Sequence, residues 1–372
     1  MKIKFLLCLF VFYSVLFPAV FAQHINSVRK PSGDEYWYIL KQAQNAYDSA
    51  EYGDAIKLAE NAKQKKKEVA AWESFILDQT QKNYRVRKAG DYLEEILPIL
   101  KEKNYDDAVS VIEKNINLYG MDFFHGKFSL LCKWVDDDYI YPEADYLIGK
   151  IYKLEGETDL AYQYLIRAYD NLKRLDVPDV KYDILYEMAE ISEMKDDTLN
   201  YEQKLLAVLM DDTFYTDEGF MNALVRLVNQ NKIDSVHKFF LLYRSENDIS
   251  IKALVLLNEY YSRLGREEKA LRCAALGSIA AVTKIEETLK DRLIDYSYAG
   301  FSDLLDKAAL YSDIVDWGND NEIWKLFYNL AVTSSSCKND VFAKTLLDIL
   351  AEHEPEKYWQ KKASVKLASL KD

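Results

Sequence analysis

From Glu35 to the C-terminus, apolar side chains recur every three or four residues, which is the spacing of one face of an α-helix. Glycine and proline rarely interrupt this pattern, since the chain has 12 Gly and 6 Pro among 372 residues. Folds with many short strands need such residues at their turns, whereas long helices do not. The pattern therefore predicts an all-α protein.

Within the helical pattern, small residues recur at fixed distances from one another. The clearest copy runs from Tyr141 to Tyr169. Small side chains at Gly149 and Ala161 let two consecutive helices approach closely, and a glycine at the end of the first helix permits the left-handed conformation that often stops a helix. Large residues fill the space beside them. The residues of this copy are Gly149, Tyr152, Gly156, Ala161, Leu165 and Ala168.

These spacings resemble the tetratricopeptide repeat (TPR), with Gly149 at repeat position 8, Gly156 at 15 and Ala161 at 20. The family's aromatic residue at position 4 is replaced by Asp145. The resemblance implies antiparallel helix pairs stacked in an α-α superhelix. Further copies are found at Ile251 to Gly277, Tyr36 to Lys63 and Asp91 to Asn115, and looser ones at Ile184 to Leu209 and Phe220 to Tyr243.

The array is irregular, because its position-20 residues are unevenly spaced along the chain. These residues are Ala55, Ala108, Ala161, Tyr201, Ser235 and Ala270. The first two separations are 53 residues, against about 34 in a regular array. We expect a lengthened helix over Gln64 to Tyr84 in the first interval, and a loop over Tyr119 to Tyr141 in the second.

The repeat pattern weakens after residue 278. We therefore predict TPR-like repeats over residues 35–278 and a helical C-terminal region over 279–372, which is either a cap or a run of divergent pairs. Its predicted helices are Lys284 to Tyr298, Phe301 to Trp317, Glu322 to Ser334, Asp340 to His353 and Glu356 to Leu370.

The N-terminus has the layout of a secretory signal peptide. Lys2 and Lys4 precede an apolar stretch, and Val20 and Ala22 occupy the small-residue positions of a cleavage site. We predict a signal peptide over residues 1–22 and a linker over 23–34, with an uncleaved membrane anchor as the alternative. The periplasm of a double-membrane bacterium is the expected location, and extracellular or anchored forms are alternatives.

Cleavage would remove two lysines and change the net charge from −13 to −15. Such an acidic chain repels phosphate backbones, so nucleic acid is an unfavourable partner. The remaining cysteines, Cys132, Cys273 and Cys337, allow at most one internal disulfide. We expect buried thiols instead.

No nucleotide-binding loop, catalytic serine elbow or local metal-binding spacing occurs in the sequence. We therefore expect no catalytic residue, no metal and no cofactor. Three sequence features could bind a ligand or partner, or could have a purely structural role. These are an acidic run at Asp136, Asp137 and Asp138, expected to be solvated rather than to bind calcium; a basic run at Lys63, Lys65, Lys66 and Lys67, expected at the end of a helix; and an aromatic segment from Phe123 to Trp134.

The resemblance also implies a binding groove, because TPR proteins hold peptides on the first helix of each pair near positions 5, 9 and 12. In this chain those positions are Tyr146, Lys150 and Lys153; Val255, Glu259 and Ser262; and Leu40, Gln44 and Tyr47. Two lysines one turn apart would suit a carboxylate-bearing partner.

These features predict a non-catalytic scaffold of the cell envelope that holds a partner protein or peptide. The partner's identity is open. A self-associating structural protein is the first alternative, and an enzyme or accessory of cell-wall or polysaccharide metabolism is the second.

Overall fold

The computed structural model describes residues 29–83, 93–102, 104, 106–119, 133, 135 and 137–370. Over these ranges it contains 18 α-helices and no strand, and the helices pack as antiparallel pairs consistent with a helical solenoid. The predicted all-α fold class is therefore confirmed. The chain divides into two compact units, Met1–Ile184 and Leu185–Asp372.

In the first unit the helices are α1 (Tyr36–Asp48), α2 (Tyr52–Asn83), α3 (Leu93–Glu102), α4 (Asp106–Tyr119), α5 (Pro142–Leu154) and α6 (Thr158–Asp170). In the second they are α7 (Val180–Met194, which begins in the first), α8 (Thr198–Leu209), α9 (Thr213–Thr216), α10 (Glu218–Asn229), α11 (Ser235–Leu242), α12 (Ile251–Arg263), α13 (Glu267–Arg292), α14 (Phe301–Ala308), α15 (Ser312–Asp320), α16 (Ile323–Ser336), α17 (Asp340–His353) and α18 (Lys357–Ser369). No described helix is both long and apolar enough to cross a membrane.

The long helix α2 organises the first unit. It has 32 residues and continues without a break through the predicted extension as far as Asn83, which confirms the lengthened helix over the described residues. Its first half packs with α1 and α5 around Ala59, Ala62 and Ile148. Its second half packs with α3 and α4 around Leu77 and Ile112. The pair α1–α2 therefore lies directly against the pair α5–α6, although α3–α4 comes between them in sequence.

Close approach within the pair α5–α6 depends on Gly149. A Cβ atom at this position would lie 2.9 Å from Cγ of Leu165 and 3.3 Å from the carbonyl oxygen of Ala161. Both neighbours are fully buried on α6. The residues at position 20 are likewise all buried, and they are Ala55, Ala108, Ala161, Tyr201, Ser235 and Ala270.

The turns between paired helices share one hydrogen-bonding pattern. At the end of α5, Gly156 adopts a φ of 83°, and the amide of Glu157 donates to the carbonyl of Tyr152 at 2.9 Å. This is the Schellman arrangement, which satisfies carbonyls at a helix C-terminus. A residue with positive φ, followed by an amide that donates to the carbonyl five residues earlier, also occurs at Ala50, Asp196, Gly265 and Lys338.

In the second unit, α13 is buried along most of its 26 residues and contacts α10, α12, α14 and α16. Helix α12 packs beside it as the predicted pair, and Gly277 allows α16 to approach, since a Cβ there would lie 2.9 Å from Cδ2 of Leu326. The predicted boundary at residue 278 falls inside α13.

The C-terminal helices differ from the prediction in two respects. The expected helix over Lys284 to Tyr298 is not a separate element, because residues 284–292 continue α13, which ends at Arg292. Residues 301–317 were expected to form one helix, but α14 ends at Ala308 and α15 begins at Ser312. The interruption allows the side chains of Leu304 and Ile314 both to reach the core. The sequence between α14 and α15 contains no glycine or proline that would have indicated this break. Helices α16 and α17 form a further pair that turns at Lys338 with the shared Schellman pattern.

Candidate functional site

The contact between α1 and α5 places the first helices of two pairs side by side. There the ammonium of Lys150 lies 4.8 Å from the ring centroid of Tyr47 and 5.3 Å from that of Tyr146. Aromatic ring faces attract cations at these distances. We call the surface formed by Gln44, Tyr47, Tyr146, Lys150 and Lys153 the tyrosine–lysine surface.

Helical spacing explains the surface. Tyr146 and Lys150 are four residues apart on α5 and share one face. Tyr47 contacts the ring of Tyr52 at 5.9 Å, which holds it at the end of α1. One turn earlier, the amide of Gln44 donates to the carboxylate of Asp48 at 2.8 Å. The five residues of the surface are half-buried, so each retains an accessible part.

The same face of α1 carries an exposed aromatic residue. Trp37 lies seven residues before Gln44, which places both on one side of the helix. Its side chain is 55% exposed, and its ring contacts that of Tyr38 at 5.9 Å. The first unit thus presents two lysines together with tyrosine and tryptophan rings, a composition that suits contact with an acidic and partly apolar partner.

The predicted residues of the second unit are placed differently. Glu259 on α12 forms an ion pair with Lys325 of α16. Val255 was expected in a groove, and this was wrong because α12 packs that face against its neighbours and leaves the side chain buried. The tyrosine–lysine surface therefore consists of first-unit residues alone.

The basic run lies in the middle of α2, so its predicted place at a helix end was wrong. The helix continues for 16 residues past Lys67. Lys65 and Lys66 are buried, and the ammonium of Lys65 donates to the carbonyl of Ser32. Lys66 continues the buried stripe of Ala55, Ala59 and Ala62 at helical spacing. This spacing is visible in the sequence and would have indicated that Lys66 is buried.

Lys66 sits in a cage that the sequence did not indicate. Its ammonium is 4.6 Å from the ring centroid of Tyr141 and 5.4 Å from that of Tyr36, and the two rings meet edge to face. The carboxylate of Asp176 lies 3.6 Å away. Burial, with nearby carboxylates, raises the pKa of both tyrosines, so the phenols stay protonated. The cage joins α1, α2 and the segment before α5.

The acidic residues near this cage are engaged by protein groups. Asp137 is exposed, as expected of a solvated run, whereas Asp138 departs from that expectation and is half-buried beside Arg174. Asp145 pairs with Lys63 at 2.9 Å, and Glu143 accepts the amide of Val177 at 3.2 Å. Burial raises the pKa of the Asp138, Glu143 and Asp145 carboxyls. Across the described residues, no group of three or more His, Cys, Asp or Glu side chains is arranged to hold a metal.

Cys273 is a buried free thiol, in agreement with the prediction, and burial raises its pKa to about 12. Cys337 is a free, half-buried thiol. Several predicted features lie outside the described residues. These are the signal peptide over 1–22, Cys132, Asp136, the aromatic side chains of Phe123, Phe124, Phe128 and Trp134, and most of the expected loop over 119–141.

Comparison with known proteins finds no matching protein-family model. The chain is similar to an uncharacterized protein of Treponema pallidum, with 28% identity over 342 residues, which cover 90% of each chain. It is also similar to an uncharacterized protein of Borreliella burgdorferi, with 21% identity over 228 residues, or 56% of this chain and 70% of that protein. Similar chains thus occur in two spirochaetes.

Proposed function

We propose that this chain is a non-catalytic, protein-binding scaffold of the bacterial cell envelope. It holds a partner protein or peptide on the tyrosine–lysine surface, in the manner that its resemblance to TPR proteins implies. The observation that carries the proposal is the position of Lys150, which lies against rings from two different helix pairs while remaining accessible.

The chemistry of this surface favours an acidic segment as the partner. Lys150 and Lys153 supply positive charge on a chain whose net charge is −13, so they form a local site for a carboxylate. The rings of Tyr47, Tyr146 and Trp37 supply broad contact area with few rotatable bonds, and such residues are enriched where binding energy concentrates. An acidic residue beside an apolar one would engage both features.

The placement in the envelope rests on the sequence of residues 1–22 and on the occurrence of similar chains in bacteria. It has its own test, because mass spectrometry of the protein isolated from cells should give a chain that begins at Gln23. A chain that begins at Met1 would favour the anchored alternative.

The proposed function is tested by crosslinking in living cells, followed by affinity capture of the chain and mass spectrometry. We expect one reproducible envelope partner that is lost when Lys150 and Lys153 are both changed to Glu. A matched control is Lys173→Glu, which also reverses charge on an exposed lysine of the first unit. Recovery of the chain alone would favour self-association, and recovery of nothing would contradict the scaffold.

A further inference from the structure

A second candidate site lies in the second unit, where the turn between α7 and α8 meets the end of α12. The pocket there has a volume of about 190 Å³. Tyr201 and Tyr260 are buried and form its inner wall, whereas Thr198 and Leu264 are exposed at its outer part. None of these residues belongs to the tyrosine–lysine surface.

The tyrosine wall results from a departure from the repeat pattern. Tyr201 stands at position 20, where the clearest copies carry alanine. Its ring lies 5.4 Å from that of Tyr260, at an angle of 54°. The hydroxyl of Tyr260 donates to the carbonyl of Thr198 at 3.2 Å, which ties α12 to the start of α8. Both rings are therefore held in place around the pocket.

The volume fits one aromatic ring. An engineered apolar cavity of about 150 Å³ is large enough to bind benzene, and this pocket is somewhat larger. Tyrosine rings pack favourably against another ring in offset or edge-to-face arrangements. A single phenyl, phenol or indole side chain would fill the space between Tyr201, Tyr260 and Leu264.

The charged lining has one negative charge in excess. Glu193 and Asp196 both line the pocket, and Arg263 lies 3.2 Å from the carboxylate of Glu193. One guanidinium against two carboxylates leaves the site favourable to a cation beside the ring.

Three exposed apolar side chains stand at or beside the pocket, among its charged groups. Met194 is 61% exposed and Leu199 is 64% exposed, and they flank the lining residues in sequence. Leu264, which lines the pocket itself, is 47% exposed. Exposed apolar side chains around a pocket are typical of protein contacts, which favours a protein segment over a free small molecule.

We propose that this pocket binds an aromatic side chain of a partner protein, presented next to a lysine or arginine that faces Asp196 and Glu193. The site is separate from the tyrosine–lysine surface and favours the opposite charge in its ligand. Its failure would therefore leave the proposed function of the first unit intact.

The test uses the full mature chain and two capped peptides, Gly-Lys-Phe-Lys-Gly and Gly-Glu-Phe-Glu-Gly, in calorimetric titrations. We expect the lysine peptide to bind about tenfold more tightly than the glutamate peptide. Thr198→Trp fills the pocket and should abolish binding. Leu199→Trp is the matched control, because it adds the same side chain one residue away, at a position that does not line the pocket.

A third variant covers the case in which Thr198→Trp fails to fold. Asp196→Asn keeps a residue that tolerates the left-handed conformation seen there, with φ at 55°. It should reduce the preference for the lysine peptide to about threefold or less. Absence of binding to the unmodified chain, equal binding of both peptides, or equal loss in Thr198→Trp and Leu199→Trp would overturn the proposal.

Discussion

Replacing Gly149 with alanine should destabilise the protein through one added methyl group. The new Cβ would lie 2.9 Å from Cγ and 3.0 Å from Cδ2 of Leu165, and 3.3 Å from the carbonyl of Ala161. Leu165 is fully buried and has no solvent to move into, so α5 and α6 must separate. Overpacking of this kind costs about 1–3 kcal/mol, and the higher helix propensity of alanine offsets up to about 1 kcal/mol. We expect a net loss of up to about 2 kcal/mol in the free energy of unfolding.

The assay is urea unfolding followed by circular dichroism, with Gly53→Ala as the matched control. Gly53 lies in the first turn of α2, and a Cβ there would meet no atom within 4 Å. The same substitution should therefore stabilise the protein by about 0.5 kcal/mol at this position. If Gly149→Ala proved as stable as Gly53→Ala, the close approach of α5 and α6 would be refuted.

Three further predictions follow from the packing and are checked by thermal or urea unfolding. Lys66→Ala should cost about 1–2 kcal/mol, because it removes a buried cation from two tyrosine rings. Lys67→Ala, which truncates an exposed lysine of the same run, should change stability by less than about 0.5 kcal/mol, and equal effects would contradict the cage. Ala50→Gly should stabilise the protein by about 0.5–1 kcal/mol, since Ala50 is held at a φ of 60°, and a loss would contradict the left-handed turn. Burial holds the pKa of Glu354 well above its usual value, so the folded chain retains a proton that the unfolded chain releases. Stability from this group is complete below the pKa of the unfolded chain and is lost as pH rises towards the folded pKa. The Tm of the unmodified protein should therefore rise between about pH 7 and about pH 5 by more than that of Glu354→Gln, and equal responses would contradict the burial.

The helix pairs could be predicted from the sequence because close packing requires small residues at fixed spacing. Gly149 and Ala161 fulfil this requirement in the way their spacing indicates, and Gly156 stops α5 as expected. The turn at Lys338 could not be predicted in the same way. Its left-handed residue is not glycine, so the sequence carries no visible stop signal.

The neighbours of each pair could not be predicted, because they depend on the length of α2. A helix of 32 residues spans about 48 Å, whereas α1 has 13 residues and spans about 20 Å. The second half of α2 therefore extends beyond α1 and offers a separate surface to α3 and α4. Residue spacing gives the length of that extension but not which pair packs against which half.

The candidate site could be predicted only in part for the same reason, because it forms where two helix pairs pack together. Lys150 and Tyr47 could each be assigned to a groove position from the sequence, but their contact requires the first and third pairs to be adjacent. Burial of Lys66 was predictable in principle, since it continues an alanine stripe at helical spacing. The tyrosines that accept it come from separate segments, and only the folded chain brings them together.

The central claim is that the tyrosine–lysine surface holds a partner protein, and site-specific photo-crosslinking in the producing bacterium tests it most directly. A photo-reactive amino acid would replace Gln44 on this surface or, as a matched control, Gln163, which is exposed on α6. We predict one crosslinked species of defined mass from position 44 that is absent from position 163 and disappears when Lys150 is also changed to Glu. The same crosslinked species from both positions, or none from position 44, would contradict the claim.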